Sequence, residues 1–108
     1  MARVPTTFYS TASGPTVKTE VVSAVAATTR IIRKATFTNN TGGTLLVDLY
    51  IDPTGSQEVQ LADQHTIIDQ ETWSCPDIEG HILSPSGTID ITISGAGMDI
   101  VISGVNVT

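Results

Sequence analysis

From Thr88 to Ser94 the side chains alternate without a break, with Ile89, Ile91 and Ile93 on one side and Thr88, Asp90 and Thr92 on the other. A period of two belongs to an extended strand with one buried face. No helix, at 3.6 residues per turn, gathers such a row on one side. The same spacing sets Leu45, Val47, Leu49 and Ile51 opposite Leu46, Asp48 and Tyr50, and puts Met98, Ile100 and Ile102 in one row. Between Arg30 and Asn39, Ile31, Ala35 and Phe37 share a face opposite Lys34, Thr36 and Thr38, with Arg33 the exception on the apolar side. Nowhere do apolar residues recur at three-and-four spacing for three turns; Ala24 to Ala27 could form one loose turn. Short strands divided by turn residues predict an all-β chain, an antiparallel β-sandwich or jelly-roll-like barrel.

The punctuation suggests how the strands join. Asn39-Asn40-Thr41-Gly42-Gly43 separates the first two runs, and Gly95-Ala96-Gly97 separates the last two, so each pair reads as an antiparallel hairpin. Asp52-Pro53-Thr54-Gly55 has Pro and Gly where a turn needs them. Val59 to Leu61, His65 to Ile68 and Glu71 to Cys75 are weaker strand candidates. After Gly104 the apolar residues Val105 and Val107 fall out of phase with Ile102, the usual mark of a bulge.

Charge divides the chain. Arg3, Lys18, Arg30, Arg33 and Lys34 all lie in the first 34 residues against Glu20 alone, a net of +4, whereas residues 35–108 carry ten acids and no base, a net of −10. Formal charge governs association rather than fold, and the acidic body of an identical neighbour is one surface certain to be present. Residues 1–29, rich in Thr, Ser, Ala and Val and interrupted by Pro5, Gly14 and Pro15, read as an extended arm on a sandwich formed by residues 30–108. Fully extended, such an arm reaches roughly 95 Å at about 3.3 Å per residue. The competing reading makes Val17 to Val25 the first strand of the sandwich itself. Candidate contact residues are Arg3, Phe8, Tyr9, Lys18, Arg30, Arg33 and Lys34, together with Trp73, since a lone Trp on such a fold is commonly a core or interface anchor.

Signs of catalysis or cofactor binding are weak. Cys75 has no second cysteine to pair with, and His65 and His81 complete no metal-ligand spacing, so neither a metal nor another cofactor is expected. Asp63, His65 and Asp69 lie close in sequence without any nucleophile motif, and they read as solvated side chains of a β domain rather than an active site. The expectation is a chain that is not an enzyme. The acidic body would repel phosphates, and Arg30, Arg33 and Lys34 make too small a basic group to offset it, so nucleic acid is not an expected partner. No apolar run approaches a membrane span, and the first residues lack the unbroken apolar core of a signal peptide.

The series Ile31-Ile32-Arg33-Lys34, Thr38-Asn39-Asn40-Thr41, Leu45 to Asp52, Pro53-Thr54-Gly55, Gly80 to Ile89 and Ile102-Ser103-Gly104-Val105 resembles small β-sandwich virion proteins of tailed bacteriophages. The resemblance covers about residues 30–108. Thr88 stands where those chains often carry an acid. It carries no catalytic residues. What it implies is a structural protein of a bacteriophage particle, assembled in the host cytoplasm and located in the virion. The favoured role is a capsid decoration or cement protein. Its partners would be the major capsid protein, or neck or tail proteins if it belongs there instead, and it would form a homo-oligomer. A glycan- or host-binding β module is a rival, for which Trp73 and Tyr50 on a shared exposed face would be the supporting sign.

Overall fold

In the computed structural model, which describes residues 3–108, the chain forms nine strands in two antiparallel sheets. They are β1 (Arg3–Thr11), β2 (Thr19–Ser23), β3 (Thr29–Asn39), β4 (Leu45–Asp52), β5 (Val59–Ile67), β6 (Glu71–Ser74), β7 (Ile82–Leu83), β8 (Thr88–Ile93) and β9 (Met98–Val107), with a 3-10 turn at Pro76–Ile78. The first sheet runs β1-β9-β3-β6, with β7 also paired to β3, and the second runs β2-β8-β4-β5. The chain thus passes back and forth between sheets, and its interleaved order is that of a jelly roll. The all-β sandwich expected from the alternation is present.

The predicted inner rows form the core. Ile89, Ile91, Ile93, Ile100 and Ile102 have no exposed surface, and Val47, Leu49, Phe37 and Ala35 meet them from the neighbouring strands. The turn at Asp52 is also present. The Asp52 carboxylate accepts hydrogen bonds from the backbone N–H of Gly55 (2.7 Å) and Gln57 (3.2 Å), and Gly55 takes a φ of +84°. This turn joins β4 to β5, which pair within one sheet.

Both expected hairpins are instead crossings between sheets. Strand β3 belongs to the first sheet and β4 to the second; β8 belongs to the second and β9 to the first. A short polar turn can cross the roughly 10 Å between packed sheets as readily as it reverses a chain within one, and the side-chain period is identical in both cases. The buried Asn39 organises the first crossing. Its amide donates to the carbonyls of Gly43 (2.7 Å) and Ile67 (2.9 Å), while its Oδ1 accepts from the Thr41 N–H (3.1 Å). The weak candidates at 59–61 and 65–68 prove to be one strand, β5, broken in register near Gln64, whose φ is +49°.

Residues 3–29, expected as an arm, are woven into both sheets of this structure. Strand β1 pairs with β9 from Arg3 opposite Val107 to Thr11 opposite Ile100, and β2 pairs with β8 from Thr19 opposite Ile91 to Ser23 opposite Thr88. Both occupy sheet edges. An edge is where a strand carrying Pro5 is tolerated, because the missing N–H interrupts no interior ladder.

A pair of bulges sits where the phase break at Gly104 was noted. Phe8 is the extra residue of β1, between Thr7 opposite Ser103 and Tyr9 opposite Ile102. Arg33 is the extra residue of β3, between Ile32 opposite Gly104 and Lys34 opposite Ser103. Strand β9 itself keeps its phase, burying Gly104 in line with Ile100 and Ile102. A Cβ on Gly104 would run into the Ile31 carbonyl oxygen and lie 2.7 Å from the Phe8 ring, so only glycine fits. The bulge at Arg33 also corrects the reading of β3. Ile32, not Ile31, is the buried isoleucine, and Arg33 is exposed rather than on the apolar side, because the extra residue shifts the alternation by one.

Candidate functional site

With the inner rows packed together, the outer rows are what the protein presents to its surroundings, and they differ in charge. On the first sheet the register places Arg3, Pro5 and Thr7 of β1, Val101, Ser103 and Val105 of β9, and Ile31, Lys34 and Thr36 of β3 on the outside, joined by the bulged Arg33. Arg3, Arg33 and Lys34 are all exposed, and Asp99, at one end, is the acid on this outer row. Ile82 and Val101 are 51% and 42% exposed, which gives the face an apolar component. A hollow of about 420 Å³ opens beside Arg33, bordered by Pro5, Thr7, Ser103 and Val105. It lies over the Gly104 backbone, between the two bulged strands.

The second sheet is the reverse. Its outer rows carry Glu20 of β2, Asp90 of β8, and Asp48 and Asp52 of β4, with Glu58 at the approach to β5. Lys18 is the cation here, and it is engaged. Its Nζ meets Glu58 Oε1 at 2.5 Å and lies 4.3 Å from the centre of the Tyr50 ring. The hydrogen bond that it donates to the Glu58 carboxylate holds the Lys18 ammonium above its ordinary pKa.

Asp90 reports the crowding on this face. Burial raises its pKa, and the negative charges of Glu58, Glu20 and Asp52 add to the effect against the pull of Lys18. A carboxyl raised in the folded state favours folding while protonated, and that contribution is lost as pH rises through its folded pKa. Asp90→Asn is therefore expected to raise the melting temperature at pH 7 and to leave it unchanged below about pH 3, where both forms are neutral. The gain at neutral pH should be no more than about 0.5 kcal/mol, since solvent screens a mostly exposed carboxylate. Thermal melts at the two pH values check this, and an equal shift at both would remove the electrostatic cause.

The remaining candidates face inward. Phe8 and Tyr9 pack against the core from β1, both turned inside by the bulge. The Arg30 guanidinium lies 4.8 Å from the centre of the Phe8 ring, on the inner side of β3 opposite Asn106. The buried Arg30 Nε and Asn106 Oδ1 each have no hydrogen-bond partner among the described residues. Trp73 stacks on His65 at 3.7 Å with an interplanar angle of 18°, and contacts Phe37 at 5.6 Å. It closes the side of the sandwich between β5 and β6. Tyr50 points outward from the other sheet, so the shared aromatic platform that a glycan-binding reading needs is not formed. Of the acid–histidine trio, His65 is held by Trp73, while Asp69 accepts the Gly42 N–H at 2.9 Å and so ties the β3–β4 crossing to the β5–β6 turn. Among the described residues no group of three His, Cys, Asp or Glu side chains is placed to hold a metal ion. Cys75 is buried, and burial raises its thiol pKa.

The geometry that stands out is thus a flat sandwich with a basic, partly apolar face and an acidic one. Sequence reasoning found the charges but not their separation into faces. It assigned the split to the ends of the chain, and nothing short of the strand order converts one into the other.

Neither a family model nor a curated protein matches the sequence. Solved structures do. The chain is similar to one in the crystal structure of the T13 IBDV viral particle, at 11% identity and a TM-score of 0.55, over 97% of this chain and 34% of that one. It is also similar to a chain of the infectious bursal disease virus Gx strain, at 15% identity and a TM-score of 0.53, over 97% and 29%. The likeness is one of fold. The chain spans about a third of the length of the chains it matches.

Proposed function

We propose that this chain is a non-enzymatic structural protein of a virus particle, and more specifically a capsid decoration or cement protein of a tailed bacteriophage. The observation that carries the reading is the jelly-roll topology together with the likeness, over nearly the whole chain, to part of a protein from an icosahedral virus particle. The sequence resemblance to phage virion proteins supports the same class. Two broad, oppositely charged faces suit a subunit that sits among repeated neighbours. In this reading the protein is assembled in the host cytoplasm and stays in the virion, touching the major capsid protein and copies of itself.

Mass spectrometry of gradient-purified particles should find the chain at many copies per particle. Particles made without it should still hold their genome but release it at a lower temperature, and adding back the purified chain should restore them. Accumulation of separate heads and tails would replace the decoration role with a neck or tail role. Absence of the chain from purified particles would end the virion reading.

A further inference from the structure

The bulge at Arg33 puts two consecutive cations on one side of a strand. In regular β structure neighbours point to opposite faces, so Arg33 and Lys34 would be divided between core and solvent. Here the extra residue turns both outward, and both are exposed. Neither takes part in an ion pair among the described residues, where Lys18–Glu58 is the ion pair found. Beside them are the hollow over Gly104 and the exposed Ile82 and Val101. Charge without a partner, an apolar surround and a concavity make this face unlike a surface meant only for water.

The opposite broad face carries Glu20, Asp48, Asp52, Glu58 and Asp90 against Lys18, and its crowding is felt at Asp90. The two faces complement each other in sign, and both are outer faces of four- or five-stranded sheets. The principal dimensions of 45 × 26 × 19 Å give each broad face room for the roughly 800 Å² per partner of a standard interface. A polyanion such as nucleic acid could meet the cations, but the −6 net charge of the chain opposes it at longer range.

We infer that the outer face of β1-β9-β3, centred on Arg33 and Lys34, docks on the acidic outer face of β2-β8-β4 in a second copy of this chain. The contact joins different surfaces of the two copies. It therefore cannot be a two-fold dimer, and must close as a ring or continue as a row. The inference deepens the proposed function, resting on its picture of a subunit among repeated neighbours, but it is tested without the particle.

Sedimentation velocity on the full chain provides the test, using wild type, Arg33→Glu/Lys34→Glu, Glu20→Lys/Asp90→Lys, and an equimolar mixture of the two variants. All four changed residues lie on outer rows, and circular dichroism verifies that each variant folds. Wild type should associate with rising concentration near 0.1 M salt and come apart near 1 M, as the screening length falls from about 10 Å to about 3 Å. Each variant alone should associate on the order of 100-fold more weakly, because like charges then face each other. The mixture should recover association, since each variant offers the face that the other has lost. A wild type that stays monomeric overturns the inference, as does a mixture no more associated than its components, or association indifferent to both reversals. If a monomeric wild type binds particles through Arg33 and Lys34, the basic face serves a different acidic protein and the self-contact is wrong. Absence of the chain from particles would instead sink the proposed function and leave this result standing.

Discussion

A chain shortened to residues 30–108 is expected not to fold. The lost segment supplies β1 and β2, the edge strands of both sheets, and without them β9 and β8 become open edges. Phe8, Tyr9 and Val22 leave the core with it. So does the connection between the two strands, which is more than a tether. Gly14 donates its N–H to the Met98 carbonyl (2.8 Å), Pro15 accepts from the Ile93 N–H (2.8 Å), and Gly14 is buried so close over Ile100 that a Cβ there would displace the Ile100 terminal methyl. A fully buried side chain of this size contributes roughly 1.5–3 kcal/mol, and small domains hold only about 5–15 kcal/mol in total. Even with Phe8 and Tyr9 half-buried, losing them together with two ladders should exceed what the rest can spare. The expected readout is a circular dichroism spectrum without a cooperative thermal transition. A truncated chain that melts cooperatively near the full-length temperature would show that residues 1–29 form a dispensable arm after all.

Ile91→Ala should cost about 2–5 kcal/mol of stability, the range for removing a large aliphatic side chain from a close-packed core. Ile91 is fully buried at the middle of β8, between Thr19 of β2 and Leu49 of β4, with sheet on both sides to hinder collapse of the cavity. Its neighbour Thr92 points the other way, and Thr92→Ala should stay within about 0.5 kcal/mol of wild type. Urea midpoints for the two variants measure the contrast. Equal midpoints would mean that the inner and outer rows of β8 have been exchanged.

Strand existence was legible wherever one side of a strand is buried, because burial writes the period of two into the residues. Thus β4, β8 and β9 appear at nearly their observed bounds from Leu45, Ile89 and Met98 onward. Strand β1 left no such mark. Its alternation is interrupted by the bulge at Phe8, it lies at an edge, and Arg3-Val4-Pro5 has no consistent apolar side. Sheet membership was not legible at all, because a turn such as Gly95-Ala96-Gly97 has the same composition whether the chain reverses beside itself or crosses to the other layer. The same gap explains the candidate site. Of the residues singled out, Arg3, Arg33 and Lys34 share the outer face of the first sheet, Lys18 lies on the opposite face, and Phe8, Tyr9, Arg30 and Trp73 turn inward. Sequence position placed Arg30 and Arg33 together; the alternation of β3 puts them on opposite sides, and the bulge joins Lys34 to Arg33 instead.

The pairing of Arg3 with Val107 bears on the order in which the molecule can form. Only β4 and β5 are neighbours both in sequence and within a sheet, so almost every ladder must close a long loop before it gains anything. Chains of this kind fold in milliseconds to seconds rather than microseconds. Strand β1 must wait, unpaired, until β9 is available. During that interval β1 is an extended segment with free backbone groups, and the nearest complete β9 can belong to another molecule. When many copies are made close together, β1 is thus the strand with the longest opportunity to settle into the wrong molecule, and crowding during synthesis, rather than native stability, would set how much protein reaches its own closed form.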